Sequence, residues 1–246
     1  MHVLTTEGIV LRAKPFGESD IIVSLFTQKA GRLSCIAKGA KRSRKRFGAN
    51  LQPSSHGNFL LSIRNPNSLA MIDYCDLIEW WDGIYSDVEA FVFSQYSLEL
   101  IYKLLPEGEE NQKIFDYLLI FHNRLNSKKF NELTVRTFEA GLLSFLGYRP
   151  LISHCGKCKK ELIEEKVIFD PEKGQVLCSG CYTEKDGGFI ISPGTLSLLN
   201  YLIEDREEKH YDILSLEVKR DLKKLLWNFI IYINQGPMNS WRLFEE

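Results

Sequence analysis

The chain has 246 residues, 44% hydrophobic and 26% charged, enough to bury a core as one large domain or two ordinary ones. Its apolar runs are short and interrupted, which excludes a membrane-spanning helix, and its start, Met1-His-Val-Leu-Thr-Thr-Glu-Gly8, lacks the basic and apolar regions of a secretory signal. Net charge is −1 but uneven: residues 1–80 carry 11 Lys/Arg against 6 Asp/Glu and residues 81–246 carry 20 against 26, so a polyanion is expected to prefer the first third.

Residues 1–80 read as short strands separated by turns, at 7–12, 20–27, 32–38, 57–63 and 69–77. Five strands in this length predict a small barrel of the OB type, and an SH3-like barrel fits the same pattern. Cys35 and Cys75 fall on apolar strand positions and read as buried structural thiols. Between the third and fourth strands lies Lys38-Gly-Ala-Lys-Arg-Ser-Arg-Lys-Arg46, with six cations and no acid. Such a run is either a solvated loop or a phosphate-tracking loop at the mouth of an OB groove. Phe47 and Phe59 read either as stacking platforms for bases or as core. Nothing here offers base-edge readout, so binding is expected to depend on salt and only weakly on sequence.

From Tyr85 the apolar period becomes helical. Helices are expected from Ser86 or Asp87 to about Leu105, through Ile114–Leu125, over about 133–146, from Ser192 through Ile203, and around Leu222–Ile233 before Gly236-Pro237. Between the third and fourth of these stand Cys155-Gly-Lys-Cys158 and Cys178-Ser-Gly-Cys181, flanking a strand, turn and strand at 166–177. Two CxxC knuckles at this spacing bring four thiolates around one structural Zn²⁺, a zinc ribbon inserted at about 148–192. Clustered cysteines in a cytoplasmic chain favour metal over disulfides. The expected organisation is therefore α+β: a barrel at 1–80, then a helical domain at 81–246 that carries the ribbon.

The ordered pieces Gly8-Ile-Val-Leu, Phe16-Gly-Glu-Ser-Asp20, Phe26-Thr, Gly31-Arg-Leu, Ala37-Lys-Gly-Ala-Lys-Arg42 and Leu51-Gln-Pro53 resemble the bacterial RecO family of recombination mediators. The stretch from Arg136 to Tyr148 resembles that family's Arg-x-Phe-Glu-x-x-Leu-Leu-x-x-Leu-Gly-Tyr pattern, and the four cysteines resemble its zinc-bearing branch. The resemblance runs nearly end to end. It implies an OB fold, a helical bundle with an inserted ribbon, and no catalysis. It also implies binding to single- and double-stranded DNA, annealing of complementary strands, action with RecR to help RecA replace single-stranded-DNA-binding protein (SSB), and a cytoplasmic, nucleoid-associated location. The DNA role falls on Lys38, Lys41, Arg42, Arg44, Lys45 and Arg46, with Arg12 and Lys14 as additions. Docking of the acidic SSB tail falls on Arg136, extended by Lys128 and Lys129. Arg136 reads equally as a surface ion pair with Glu132 or Glu139.

No GxGxxG, GxxxxGK[ST], GxSxG or zinc-deaminase pattern is present, and four cysteines close a metal shell that a catalytic zinc keeps open. An enzyme is therefore not expected. The alternative function is a zinc-containing RNA-binding or ribosome-associated protein built from the same parts.

Overall fold

The computed structural model describes residues 2–43, 47, 50–65, 68–162, 166–204, 214–236 and 238–240. Five strands come first: β1 (His2–Phe16), β2 (Asp20–Thr27), β3 (Gly31–Ala37), β4 (His56–Ile63) and β5 (Ala70–Glu79). They pair in the order β1-β2-β3-β5-β4, with β4 returning to β1, and form a partly open barrel of the OB type. The closing step is slight: β3 meets β5 in parallel over two residue pairs, Cys35 with Ala70 and Ile36 with Met71.

β1 is longer than the expected strand at 7–12 because it serves two neighbours. Residues 2–9 pair with β4 and residues 8–16 with β2, and a register shift between Val10 and Arg12 bends the strand where it passes from one to the other. Inward positions alternate along the strands, with Val23, Leu25, Cys35 and Ala37 fully enclosed. Burial pushes the Cys35 thiol up to about 12 and Cys75 up to about 11, so both are the inert core thiols expected. The segment between β3 and β4 contributes Phe47 and Leu51 to the same core as Phe59. Phe47 and Phe59 are each 1% exposed. Neither is a stacking platform; the ring that follows the basic run plugs the barrel.

By packing, the chain forms two compact units, Met1–Phe130 joined by the segment from Met238, and Asn131–Pro237. The first holds the barrel, a short α1 (Asp82–Tyr85), α2 (Val88–Leu104) and α3 (Gln112–Asn126). Asp87 and Asn111 cap α2 and α3 by accepting from the N–H groups of Ala90 and Ile114. In its interior His122 Nδ1 donates to the Leu118 carbonyl at 3.0 Å, which leaves Nε2 to accept from the Ser94 hydroxyl at 3.1 Å. Ser94 also meets the Ser54 hydroxyl at 2.7 Å, and the Trp81 indole N–H donates to the Ser54 carbonyl at 2.9 Å. Complete burial keeps His122 neutral, its pKa lowered to about 4.

The second unit holds α4 (Glu132–Phe145), strands β6 (Leu151–Cys155), β7 (Val167–Asp170), β8 (Gln175–Leu177) and β9 (Phe189–Ile191), then α5 (Pro193–Ile203) and α6 (Leu216–Asn234). A capping box between Asn131 and Thr134 starts α4, and Ser215 caps α6. The expected hairpin is β7–β8, turned by Asp170, whose carboxylate accepts from the N–H groups of Glu172 and Lys173, and by Gly174 at φ +56°. It is the middle of a four-stranded sheet of order β6-β8-β7-β9. The outer strands, five and three residues long, carry too few alternating positions to be read as strands.

Candidate nucleic-acid interface and metal centre

The basic run begins where β3 ends, and its first half is fastened to the turn between β1 and β2. The Asp20 carboxylate accepts from Gly39 N–H at 2.8 Å and from the Ser19 hydroxyl at 2.9 Å. Lys41 N–H donates to the Ser19 carbonyl at 2.9 Å, and Lys41 Nζ to the Gly17 carbonyl at 2.7 Å. Gly17 and Gly39 both lie in the left-handed region, at φ +53° and +68°, where a side chain is strained. The Gly39 N–H, the Ser19 hydroxyl and the nearby Lys38 and Lys41 ammonium groups hold the Asp20 carboxyl below the usual carboxylate range. One turn thus gives the loop a fixed root and leaves its cations outside: Lys38, Lys41 and Arg42 are exposed. Arg42 meets Glu18 at 3.6 Å with both side chains largely in solvent, a pair of little strength. Arg44, Lys45 and Arg46 lie outside the described residues. Phe47 fixes the far end of the run in the core.

Lys14 is exposed on β1. Arg12, two residues earlier, is largely engaged: it meets Glu99 at 3.6 Å and lies 4.0 Å over the Tyr102 ring, which Arg32 shares from 5.0 Å. Glu99 also accepts from the N–H groups of Asn239 and Ser240, the Asn239 amide and the Ser240 hydroxyl, and its carboxyl is held below its ordinary value. The roles of Asp20 and Tyr102 were not apparent from sequence. Asp20 had a trace there, as the last residue of Phe16–Asp20, whereas Tyr102 sits in an ordinary helical stripe.

Lys128, at φ +55°, and Lys129 follow α3 and are exposed in the first unit. Arg136 belongs to the second unit. The expected surface ion pair there needs correction. Arg136 does meet Glu139, at 2.9 Å, but the two side chains are only 3% and 0% exposed. The pair is enclosed, and the Arg136 Nε–H has no acceptor within hydrogen-bonding geometry among the described residues.

The four cysteines converge. Cys155 ends β6, Cys158 follows it in the first knuckle, and Cys178 and Cys181 follow β8; their sulfur atoms all lie within 4.8 Å of one another. Tetrahedral thiolates around zinc stand roughly 3.8 Å apart, given Zn–S bonds of about 2.3 Å, and Cys158 and Cys178 Sγ are 3.8 Å apart. The site fits such an ion. Backbone turns build it: Lys159 N–H donates to the Cys155 carbonyl at 2.9 Å and Cys181 N–H to the Cys178 carbonyl at 3.0 Å. Cys178 N–H points at Cys155 Sγ from 3.4 Å. Gly156 packs so closely on Gln175 that a Cβ there would lie 2.0 Å from its side-chain oxygen. Lys157 ties the two knuckles, donating to the Cys181 carbonyl at 3.1 Å and to Asp186 at 2.6 Å.

An OB-type barrel with a rooted basic loop, helices and a four-cysteine ribbon defines a class of β-barrel protein with a metal-competent insertion. The family model for the recombination protein O N terminal matches residues 1–81 and that for its C terminal matches residues 85–242. The chain belongs to the recombination protein O family. It is 30% identical to the DNA repair protein RecO of Syntrophus aciditrophicus over 98% of this chain and 95% of that one. It is 31% identical to those of Symbiobacterium thermophilum, over 98% and 96%, and Clostridium novyi, over 100% and 94%.

Proposed function

We propose that this protein is a non-enzymatic DNA-binding mediator of recombination in DNA repair, located in the cytoplasm on the nucleoid. The observation that carries the reading is the rooted loop, with Lys38, Lys41 and Arg42 outward on an OB-type barrel spanning residues 1–80. Family membership and relatives named as DNA repair proteins support the choice of DNA. Single and double strands share the phosphate chemistry that such cations recognise, with Arg44, Lys45, Arg46 and Lys14 adding to it and Arg12 contributing from its partly engaged position. By screening phosphate repulsion, the barrel lowers the barrier for two complementary strands to meet and anneal. The family likeness extends the proposal to action with RecR and to helping RecA onto SSB-coated strands.

The helical domain, 81–246, is the proposed holder of the SSB tail. In the second unit the Arg136 Nε–H, without an acceptor among the described residues, is a donor suited to a carboxylate; in the first unit Lys128 and Lys129 are exposed cations of the right sign, proposed on their own account. Because the guanidinium is enclosed, tail binding has to open its surroundings. The proposed metal is one Zn²⁺ held by Cys155, Cys158, Cys178 and Cys181, supplying a cross-link and no open coordination site.

Replacing Lys41, Arg42, Arg44, Lys45 and Arg46 with Ala tests the central claim. Single-stranded DNA affinity is expected to fall and its logarithmic salt slope to flatten by about 0.7 for each phosphate contact removed. An unchanged affinity and slope defeats the loop assignment. Preference for structured RNA over single-stranded and duplex DNA in direct competition favours an RNA-binding protein instead. Binding of an SSB-tail peptide to wild type but not to Arg136→Ala tests the second interface.

A further inference from the structure

The basic run is followed by a stretch of opposite character. Between Arg64 and Lys103 there is no Lys or Arg, while seven Asp and Glu occur. The same stretch exposes a connected aromatic surface in the first unit. Trp80 stacks on Tyr85 with ring centres 4.6 Å apart and planes 4° from parallel, and Tyr85 meets Phe91 at 5.8 Å. Tyr85 and Phe91 are 38% and 39% exposed, and Val88, one helical turn before Phe91, is 82% exposed. Scattered exposed apolar residues need no explanation, but a connected ladder of rings flanked by an open valine marks a contact surface.

Its geometry is fixed in advance. The Tyr85 hydroxyl donates to the Pro53 carbonyl at 2.6 Å, and Asp87 caps α2, holding Val88 and Phe91 on a formed helix. The rim is acidic: Asp82 and Glu89 are exposed and enter no ion pair among the described residues. Phosphate is repelled here, so bases have no electrostatic reason to stack on these rings. An arginine is suited twice, its guanidinium plane lying on Trp80 or Tyr85 while its N–H groups meet a rim carboxylate.

We infer that the Trp80–Tyr85–Phe91 surface docks a basic protein segment that presents arginine between aliphatic side chains. The surface shares no residue with the basic loop and does not depend on the DNA reading. Opposite charge gives fast, salt-sensitive encounter, and the buried rings supply the retention.

The test uses the full chain and a fluorescein-labelled peptide of repeated Arg-Leu-Gly, with Glu-Leu-Gly as control. Binding is read by anisotropy at low and at physiological salt. The Arg peptide is expected to bind, and Val88→Lys or Glu89→Lys, both on exposed positions, to weaken it by roughly ten-fold or more. Phe91→Ser is expected to do the same while leaving single-stranded DNA affinity unchanged. No binding of the Arg peptide, or equal binding by Val88→Lys, overturns the inference. So does concentration-dependent self-association that Val88→Lys abolishes, which assigns the surface to a second copy, or loss of DNA affinity in Phe91→Ser, which assigns the rings to bases.

Discussion

The barrel and the ribbon solve the same problem, fixing short strands and an irregular loop, with opposite means. The barrel encloses a cluster of twelve buried residues, from Val10 to Cys75, a core of its own that accompanies its strand ladders. The ribbon's cluster at the cysteines has three buried members, Cys155, Leu177 and Cys178, of which two are proposed metal ligands. Phe169 adds edge contacts to Phe189 on β9 and to Phe229 on α6, at 6.0 and 5.9 Å, and neither partner is one of the knuckle residues. The knuckles, so poor in core, need a cross-link, although Val167, Phe169, Val176 and Ile191 in the strands beside them are fully buried.

The largest separation between the two regions is therefore expected on losing a ligand. Cys158→Ser leaves three thiolates, and structural zinc in small domains contributes on the order of 10 kcal/mol to folding. Metal content by atomic absorption should fall to zero. Amide exchange over residues 151–191 should lose protection, while residues 2–79 keep theirs and single-stranded DNA binding persists. Collapse of protection in both regions would show that the barrel is not self-sufficient. Loss of DNA binding with the barrel intact would make the ribbon a direct contact surface.

Phe47 breaks the comparison from the other side. It follows a loop of cations, yet its ring is 1% exposed in the barrel core. Phe47→Ala should cost about 3–5 kcal/mol, the usual range for a buried aromatic, read as a shift in the denaturation midpoint at constant slope. The ribbon's metal content should not change. A cost near zero would return Phe47 to the surface role open to it in the sequence.

Acid gives a third contrast, since the barrel unit carries a buried imidazole. His122 is neutral in the fold with its pKa near 4, against an ordinary value of 6.5. The unfolded chain takes up this proton more readily than the folded one, so its contribution is complete above about pH 6.5 and is lost as pH falls towards 4. The gap corresponds to about 3 kcal/mol. His56, stacked on Trp81 and also lowered chiefly by burial, acts in the same sense. Melting temperature followed from pH 7 to 4 should fall, and His122→Asn should flatten that fall whatever its effect at pH 7. An equal slope in the variant would assign the acid loss to carboxylates instead.

How much of this was legible beforehand follows from the range over which each signal acts. Strand alternation, the change to helical period and the CxxC spacing are local, and each yielded its element: five strands, the long helices, four converging thiols. Partners distant in sequence were hidden. Nothing near Phe47 says that its ring enters the barrel, because a lone aromatic after a charged run suits both core and surface. Arg136 and Glu139 were readable as an i,i+3 pair, but their enclosure depends on packing that no helical stripe reveals. Asp20 and Gly39 are nineteen residues apart, and only β2 and β3, paired from Ile21–Ala37 to Thr27–Gly31, bring them together.

That last contact gives the smallest and most pointed prediction. The ribbon's knuckles are set by four sulfurs; the basic loop's root is set by one carboxylate taking the Gly39 N–H, with Lys41 returning to Gly17 and Ser19. Asp20→Ala removes the acceptor without touching a cation, and net charge becomes more positive, which by itself favours DNA. If the root matters, affinity for single-stranded DNA should nevertheless drop, by roughly five-fold, the equivalent of one ordinary hydrogen bond. The salt slope should stay as it was, because the number of phosphate contacts is unchanged. Tighter binding by Asp20→Ala would mean that the loop works as loose charge, and that the barrel, unlike the ribbon, leaves its working segment unfixed.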